Sequence, residues 1–217
     1  MKKSFAITAG VLALTAAAFA AEEATVSKSY DLAGFDRIDI SGVYEFDVKV
    51  GPGFSVMLSG NQAEIDHAKV GVEEGVLTLG HEKWKRGEKR FNGNRDGLKA
   101  TITLPALNGL DLSGVGDGDV EGVDADAFSV DVSGVGDLRI GGKCKSLDAD
   151  VSGVGDLNAK SLECNAVDVE VSGVGSAVVY ASDEVRAEVS GMGDIDVYGS
   201  PAKVSKNKSM FADVTVH

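Results

Sequence analysis

The chain has 217 residues, with 21 Lys+Arg against 34 Asp+Glu for a formal net charge of −13, and it carries 28 glycines but only 3 prolines. This acidic balance argues against nucleic acid as a partner, and the scarcity of proline excludes collagen-like and proline-rich disordered chains. With 43% hydrophobic residues the chain can bury a core of ordinary domain size, so the glycine excess points to a regular backbone rather than to disorder.

Met1-Lys2-Lys3-Ser4 is a short basic segment, followed by an apolar run from Phe5 to Phe19 and a small-x-small cleavage site at Ala18-Phe19-Ala20. Residues 1–20 therefore read as a secretory signal peptide, the run being shorter than the ~20 residues a membrane-spanning helix needs. An exported protein is predicted, periplasmic or secreted to the cell surface, with 21–217 as one domain and no transmembrane segment within it.

Residues 30–110 alternate irregularly, with strands expected around Arg37 to Val50, Phe54 to Ser59, Val76 to Gly80 and Leu98 to Leu104. Asn61, with Glu64 three residues on, signals the start of a single helical turn ending at His67. Between the last two strands, the segment His81 to Arg95 holds six Lys/Arg and two Glu together with Trp84 and Phe91. Trp84, Lys85, Arg86, Lys89 and Arg90 are candidate contacts for an anionic surface, an acidic glycan or the acidic face of a second copy; a plain solvated loop is the alternative.

From residue 111 to 198 the sequence repeats. Ser-Gly-Val-Gly or Ser-Gly-Met-Gly begins at Ser113, Ser133, Ser152, Ser172 and Ser190, at spacings of 20, 19, 20 and 18 residues. Aligned on the serine, the preceding position reads Leu112, Val132, Val151, Val171, Val189, and two earlier Leu110, Val130, Ala149, Val169, Ala187. Beyond the glycines, Leu138, Leu157, Ala177 and Ile195 form another apolar column, and Val120, Ile140, Ala159, Val179 and Val197 a further one. Period-two alternation on both sides of a glycine corner predicts two short strands per repeat, stacked ~4.8 Å apart into parallel sheets. The predicted fold is all-β, a β-solenoid with coils of about 20 residues and Ser-Gly-Val-Gly corners, closed by residues 199–217 as a C-terminal cap. A leucine-rich repeat and a hexad-repeat acyltransferase helix both lack their motifs here.

The chemistry available is sparse. His67, His81 and His217 are scattered, and none falls in the repeats, so neither a Ser-His-Asp triad nor a histidine metal cluster has partners. The serine column is expected to form a hydroxyl ladder along the stack. Asp111, Asp131, Asp150, Glu170 and Glu188 are expected to line one outer face, and Asp117, Asp137, Asp156 and Asp194 another, interrupted by Ser176. The second column is a candidate cation ladder, with calcium the possible ion, since like charges ~5 Å apart repel by about 1 kcal/mol per pair in water. A solvated, aggregation-resistant face is the alternative. Cys144 and Cys164 each stand eight residues before a repeat serine, so they share a column on adjacent coils, within disulfide reach in an oxidising compartment.

Taken together, the five blocks, Gly34-Phe35-Asp36-Arg37-Ile38-Asp39-Ile40-Ser41-Gly42-Val43, Thr101-Ile102-Thr103-Leu104-Pro105 and Tyr198-Gly199-Ser200-Pro201 resemble the bacterial autotransporter adhesin head GIN-domain family. The resemblance implies a right-handed parallel β-helix with Ser-Gly-x-Gly-Asp corners and a role in adhesion. That family carries a small residue between the glycines, where this chain has Val115, Val135, Val154, Val174 and Met192; an apolar residue there suggests a more buried corner. The reading is therefore a non-enzymatic exported binding or structural protein of the cell surface or envelope, without a resident cofactor. Its partner would be an envelope glycan or surface component, or another copy of itself. A carbohydrate-active β-helix enzyme acting on acidic polysaccharide is the alternative.

Overall fold

The computed structural model describes residues 25–82 and 97–217. The signal-peptide segment 1–20 and the loop residues Trp84, Lys85, Arg86, Lys89 and Arg90 lie outside the described residues.

The protein is a β-solenoid of about 5 turns built from coils of about 20 residues. Its regular part consists of β9 (Gly118–Val132), β10 (Leu138–Val151), β11 (Leu157–Val171) and β12 (Ala177–Val189), paired parallel in that order. Where two short strands per repeat are expected, each coil is one long strand that bends at mid-length, as at Gly122 with φ 80°. Outward side chains continue across the bend, and the register shifts by a residue near it.

The core consists of the predicted columns. Leu112, Val132, Val151, Val171 and Val189 are all buried, as are Leu138, Leu157, Ala177 and Ile195. Register makes each a continuous stack, with Leu138 beside Leu157, Leu157 beside Ala177 and Ala177 beside Ile195. No polar or charged residue is fully buried among the described residues, as expected when the inward positions hold aliphatic and aromatic side chains, glycine and the Cys144–Cys164 pair.

The first half departs from sequence order. β1 (Val26–Tyr30), β2 (Arg37–Ile40), β3 (Tyr44–Val50) and β4 (Ser55–Gly60) are followed by α1 (Gln62–His67), β5 (Ala68–Glu73), β6 (Val76–His81), β7 (Leu98–Leu104) and β8 (Gly109–Leu112). α1 starts at Asn61, whose side chain accepts the Ala63 N–H at 2.8 Å. β2 pairs in parallel with both β6 and β8, and β3 with both β7 and β9. The coil β2–β3, first in sequence, is thus second in the stack, and β6–β7 lies outside it. β1, β4 and β5 then cover that end with antiparallel pairing.

At the other end β13 (Asp194–Tyr198), β14 (Lys203–Lys208) and β15 (Asp213–Val216) extend the stack, β14 on β12 and β15 on β13. Every residue of β14 is exposed, and its edge carries three lysines, Lys203 paired with Glu184, Lys208 paired with Asp213 and Lys206 donating to the Val214 carbonyl; such polar, lysine-bearing edges oppose pairing with further strands.

Candidate functional site

The outer surface is made of side-chain columns one coil apart. At the corners, Ser, Val and Asp alternate with glycine, so all three side chains of a rung such as Ser113, Val115 and Asp117 point outward. The apolar residue expected in a more buried corner is in fact about half exposed in all five repeats, from 47% at Val174 to 59% at Met192, and Val43 in the adjoining coil is 45% exposed. The cause lies in the glycines. A Cβ on Gly134 would overlap the Gly114 carbonyl oxygen, and one on Gly153 that of Gly134. Only glycine fits the inward positions, so the side chain between them must face solvent.

The serine hydroxyls do not form the expected ladder. Their backbone N–H groups do the bonding, as in Ser133 to the Leu112 carbonyl at 3.0 Å and Ser152 to Val132 at 3.0 Å. Two short serine side chains held in parallel ~4.8 Å apart keep their hydroxyls beyond the ~2.8 Å reach of an O–H···O bond.

The Asp117 column has a bonding role that the sequence did not suggest. Asp137 N–H donates to Asp117 Oδ1 at 2.9 Å, Asp156 N–H to Asp137 Oδ1 at 3.1 Å, and Asp213 N–H to Asp194 Oδ1 at 3.0 Å. Ser176 donates both its N–H and its hydroxyl to Asp156 Oδ1, at 2.8 and 2.6 Å. A short carboxylate reaches the amide one coil away, which bonds the corners together side chain to backbone. Among the described residues no group of three or more His, Cys, Asp or Glu side chains is arranged to hold a metal ion.

Asp111, Asp131, Asp150, Glu170 and Glu188 align as predicted, and Asp39 extends the line by pairing with Asp111. Burial, then Asp131 and Asp39, raise the Asp111 pKa; burial, then Asp131 and Asp148, raise that of Asp150, whose Oδ1 is buried without a hydrogen-bond partner. A carboxyl with a raised folded pKa binds its proton more tightly folded than unfolded, so that stability is present at acid pH and lost as pH rises through the folded value. Asp150→Asn should therefore raise the melting temperature at pH 7, with the gain shrinking toward pH 4. Calorimetry at the two pH values checks this; an equal shift at both would show that ionisation is not the cause.

Beside this line a second column reads Ser129, Asp148, Asp168, Arg186. Its neighbour on the N-terminal side is Gly109, and the absent side chain leaves room for the Arg37 guanidinium, which donates to Ser129 Oγ at 3.3 Å. At the far end Arg186 bonds Asp168 at 3.3 Å and Glu188 at 3.2 Å. A shallow groove of about 550 Å³ runs along these coils, lined on its other side by Ala127, Ser146, Ala166 and Glu184. Guanidinium groups at both ends and carboxylates between them suit a ligand bearing many hydroxyls and some acid groups. Neither Arg37 nor the groove was found from the sequence.

Cys144 and Cys164 face each other across β10 and β11 and form a disulfide, with Cα atoms 4.5 Å apart. Among the histidines, His67 and His81 lie near the N-terminal end of the stack, while His217, after the last strand, bonds Asp196 at 2.8 Å.

The family model described as "Putative auto-transporter adhesin, head GIN domain" matches residues 34–201. The chain belongs to this family. The crystal structure of a putative adhesin from Bacteroides fragilis NCTC 9343 is similar to this GIN-domain chain at 25% identity, with a TM-score of 0.73, covering 90% of this chain and 98% of that one. Putative adhesins from Parabacteroides distasonis ATCC 8503 and Parabacteroides merdae ATCC 43184 share the fold at 18% and 15% identity, with TM-scores of 0.54 and 0.50. They cover 90% and 89% of this chain, and 98% and 96% of their own chains. No curated protein is significantly similar. The GIN-domain chain is an adhesin-like β-solenoid protein, and neither family nor neighbours support the enzymatic alternative. Among the described residues, no helix is long and apolar enough to cross a membrane.

Proposed function

We propose that this GIN-domain protein is a non-enzymatic binding protein, exported to the cell envelope or surface, that attaches to a polyhydroxylated, partly acidic surface polymer such as an envelope glycan. The observation that carries this reading is the groove, where Arg37 and Arg186 bracket the Ser129–Asp148–Asp168 column on a rigid stack. A frame that repeats every ~4.8 Å offers an extended polymer a row of polar contacts at a fixed step, which suits attachment by many weak bonds. The adhesin family points to surface components as the class of partner.

A binding screen of the protein against envelope glycans and other surface polymers tests this. Arg37→Ala with Arg186→Ala should weaken binding to the best ligand at least about tenfold, equivalent to ~1.4 kcal/mol, with little change in melting temperature because both side chains are exposed. Binding unaffected by the pair would remove the groove from the reading. The absence of any polymer ligand would overturn the reading itself.

A further inference from the structure

The apolar column down the middle of the corner face is used by neither the core nor the groove. Val43, Val115, Val135, Val154, Val174 and Met192 are joined by parallel bridges from coil to coil, and each is about half exposed. At ~4.8 Å per step they form a ridge roughly 24 Å long. From Val115 to Met192 its shoulders are bare backbone, because the flanking glycines cannot carry a side chain, and beside Val43 one shoulder is Tyr44, whose ring is buried. Beyond the shoulders lie two columns of different character, serines from Ser41 to Ser190 on one side, and on the other Glu45, which is ion-paired with Lys99, then Asp117, Asp137, Asp156, Ser176 and Asp194.

We propose that this ridge is a self-association surface, on which two copies of the chain pair face to face with their solenoid axes parallel. The period is the first reason. Apolar knobs ~4.8 Å apart along six coils are met in register by a surface with that same period, and a second copy supplies it. Charge is the second reason. A two-fold axis parallel to the solenoid axis sets the acidic column of each copy against the serine column of its partner, where hydroxyls can donate to carboxylates. The antiparallel arrangement would set acid against acid, and anionic polymers or membranes meet the same repulsion. The third reason is the contrast with the stack's end. β14 is guarded by Lys203, Lys206 and Lys208, whereas none of the six corner rungs contains a lysine or arginine. End-to-end growth is opposed and side-by-side pairing is not.

Sedimentation velocity of the full chain over a wide concentration range tests this. A reversible dimer is expected, strengthened by salt because the net charge of −13 opposes association. Val135→Asp with Val154→Asp should weaken it at least about tenfold, and Val135→Thr with Val154→Thr, nearly isosteric, should weaken it in the same direction. Neither pair should lower the melting temperature much, since these side chains are exposed. Met192→Cys should oxidise to a dimer linked through residue 192 of both copies, as only the parallel arrangement brings equivalent rungs together. A monomer at every concentration, a dimer indifferent to both pairs, or failure of residue 192 to link to itself would overturn the proposal.

Discussion

Replacing Gly153 by alanine is expected to destabilise the solenoid by about 3 kcal/mol or more, at the upper end of what overpacking costs. The added methyl would overlap the Gly134 carbonyl oxygen of the preceding coil. That oxygen belongs to backbone, so no side-chain rotation relieves the overlap. It also accepts the Val154 N–H at 3.0 Å, so moving it away breaks a coil-to-coil hydrogen bond. Because a stack is held together by neighbour interfaces, an opening in the middle separates two blocks of coils rather than fraying one end. The melting temperature should fall by roughly 6–12 °C for a domain of this size. Gly71→Ala is the control, since nothing lies within 4 Å of its added methyl. A Gly153→Ala protein that melts with the wild type would refute the close-stacking account of the corners.

Removing the disulfide with Cys144→Ala and Cys164→Ala should cost about 3 kcal/mol on the chain-entropy model for a sequence separation of 20. Alanine is the appropriate replacement. The same buried column continues as Ala125 on one side and Ala181 on the other, so the smaller side chain is already accommodated there. Reductant should lower the wild-type melting temperature to that of the double variant and leave the variant unchanged. Thiol titration of protein that is unfolded without reduction, after export by its natural route, should find no free thiol. Two titratable thiols per chain, or a wild type indifferent to reductant, would show that the bond does not contribute.

The cysteine pairing could be read from the sequence because the repeat serine numbers the positions of every coil, so an equal offset from Ser152 and Ser172 means an equal place in the stack. The apolar columns follow by the same rule. One member escaped it: Gly118 begins the Leu138 column without a side chain, because the ring of Phe46 from the adjoining coil fills its space. The corner valines were misread because hydrophobicity alone sets the inward phase of a strand when every position has a side chain. In Gly-Val-Gly, the glycines take the inward phase for want of room, and the valine is left outside.

By itself, then, the sequence determined the features that depend on period: the β-solenoid, its coil length, the stacked core from Leu110 to Val197 and the alignment of Cys144 with Cys164. Such features need only the distance between identical positions, which the repeat states directly. Tertiary structure decided whatever depends on contacts across unlike segments. It placed the β6–β7 coil outside β2–β3, laid Arg37 over Gly109 to complete the groove, and gave each Asp117-type carboxylate a backbone amide one coil away. Those contacts join residues with no shared period, such as Arg37 and Ser129, 92 positions apart, and arise only when the coils close upon one another.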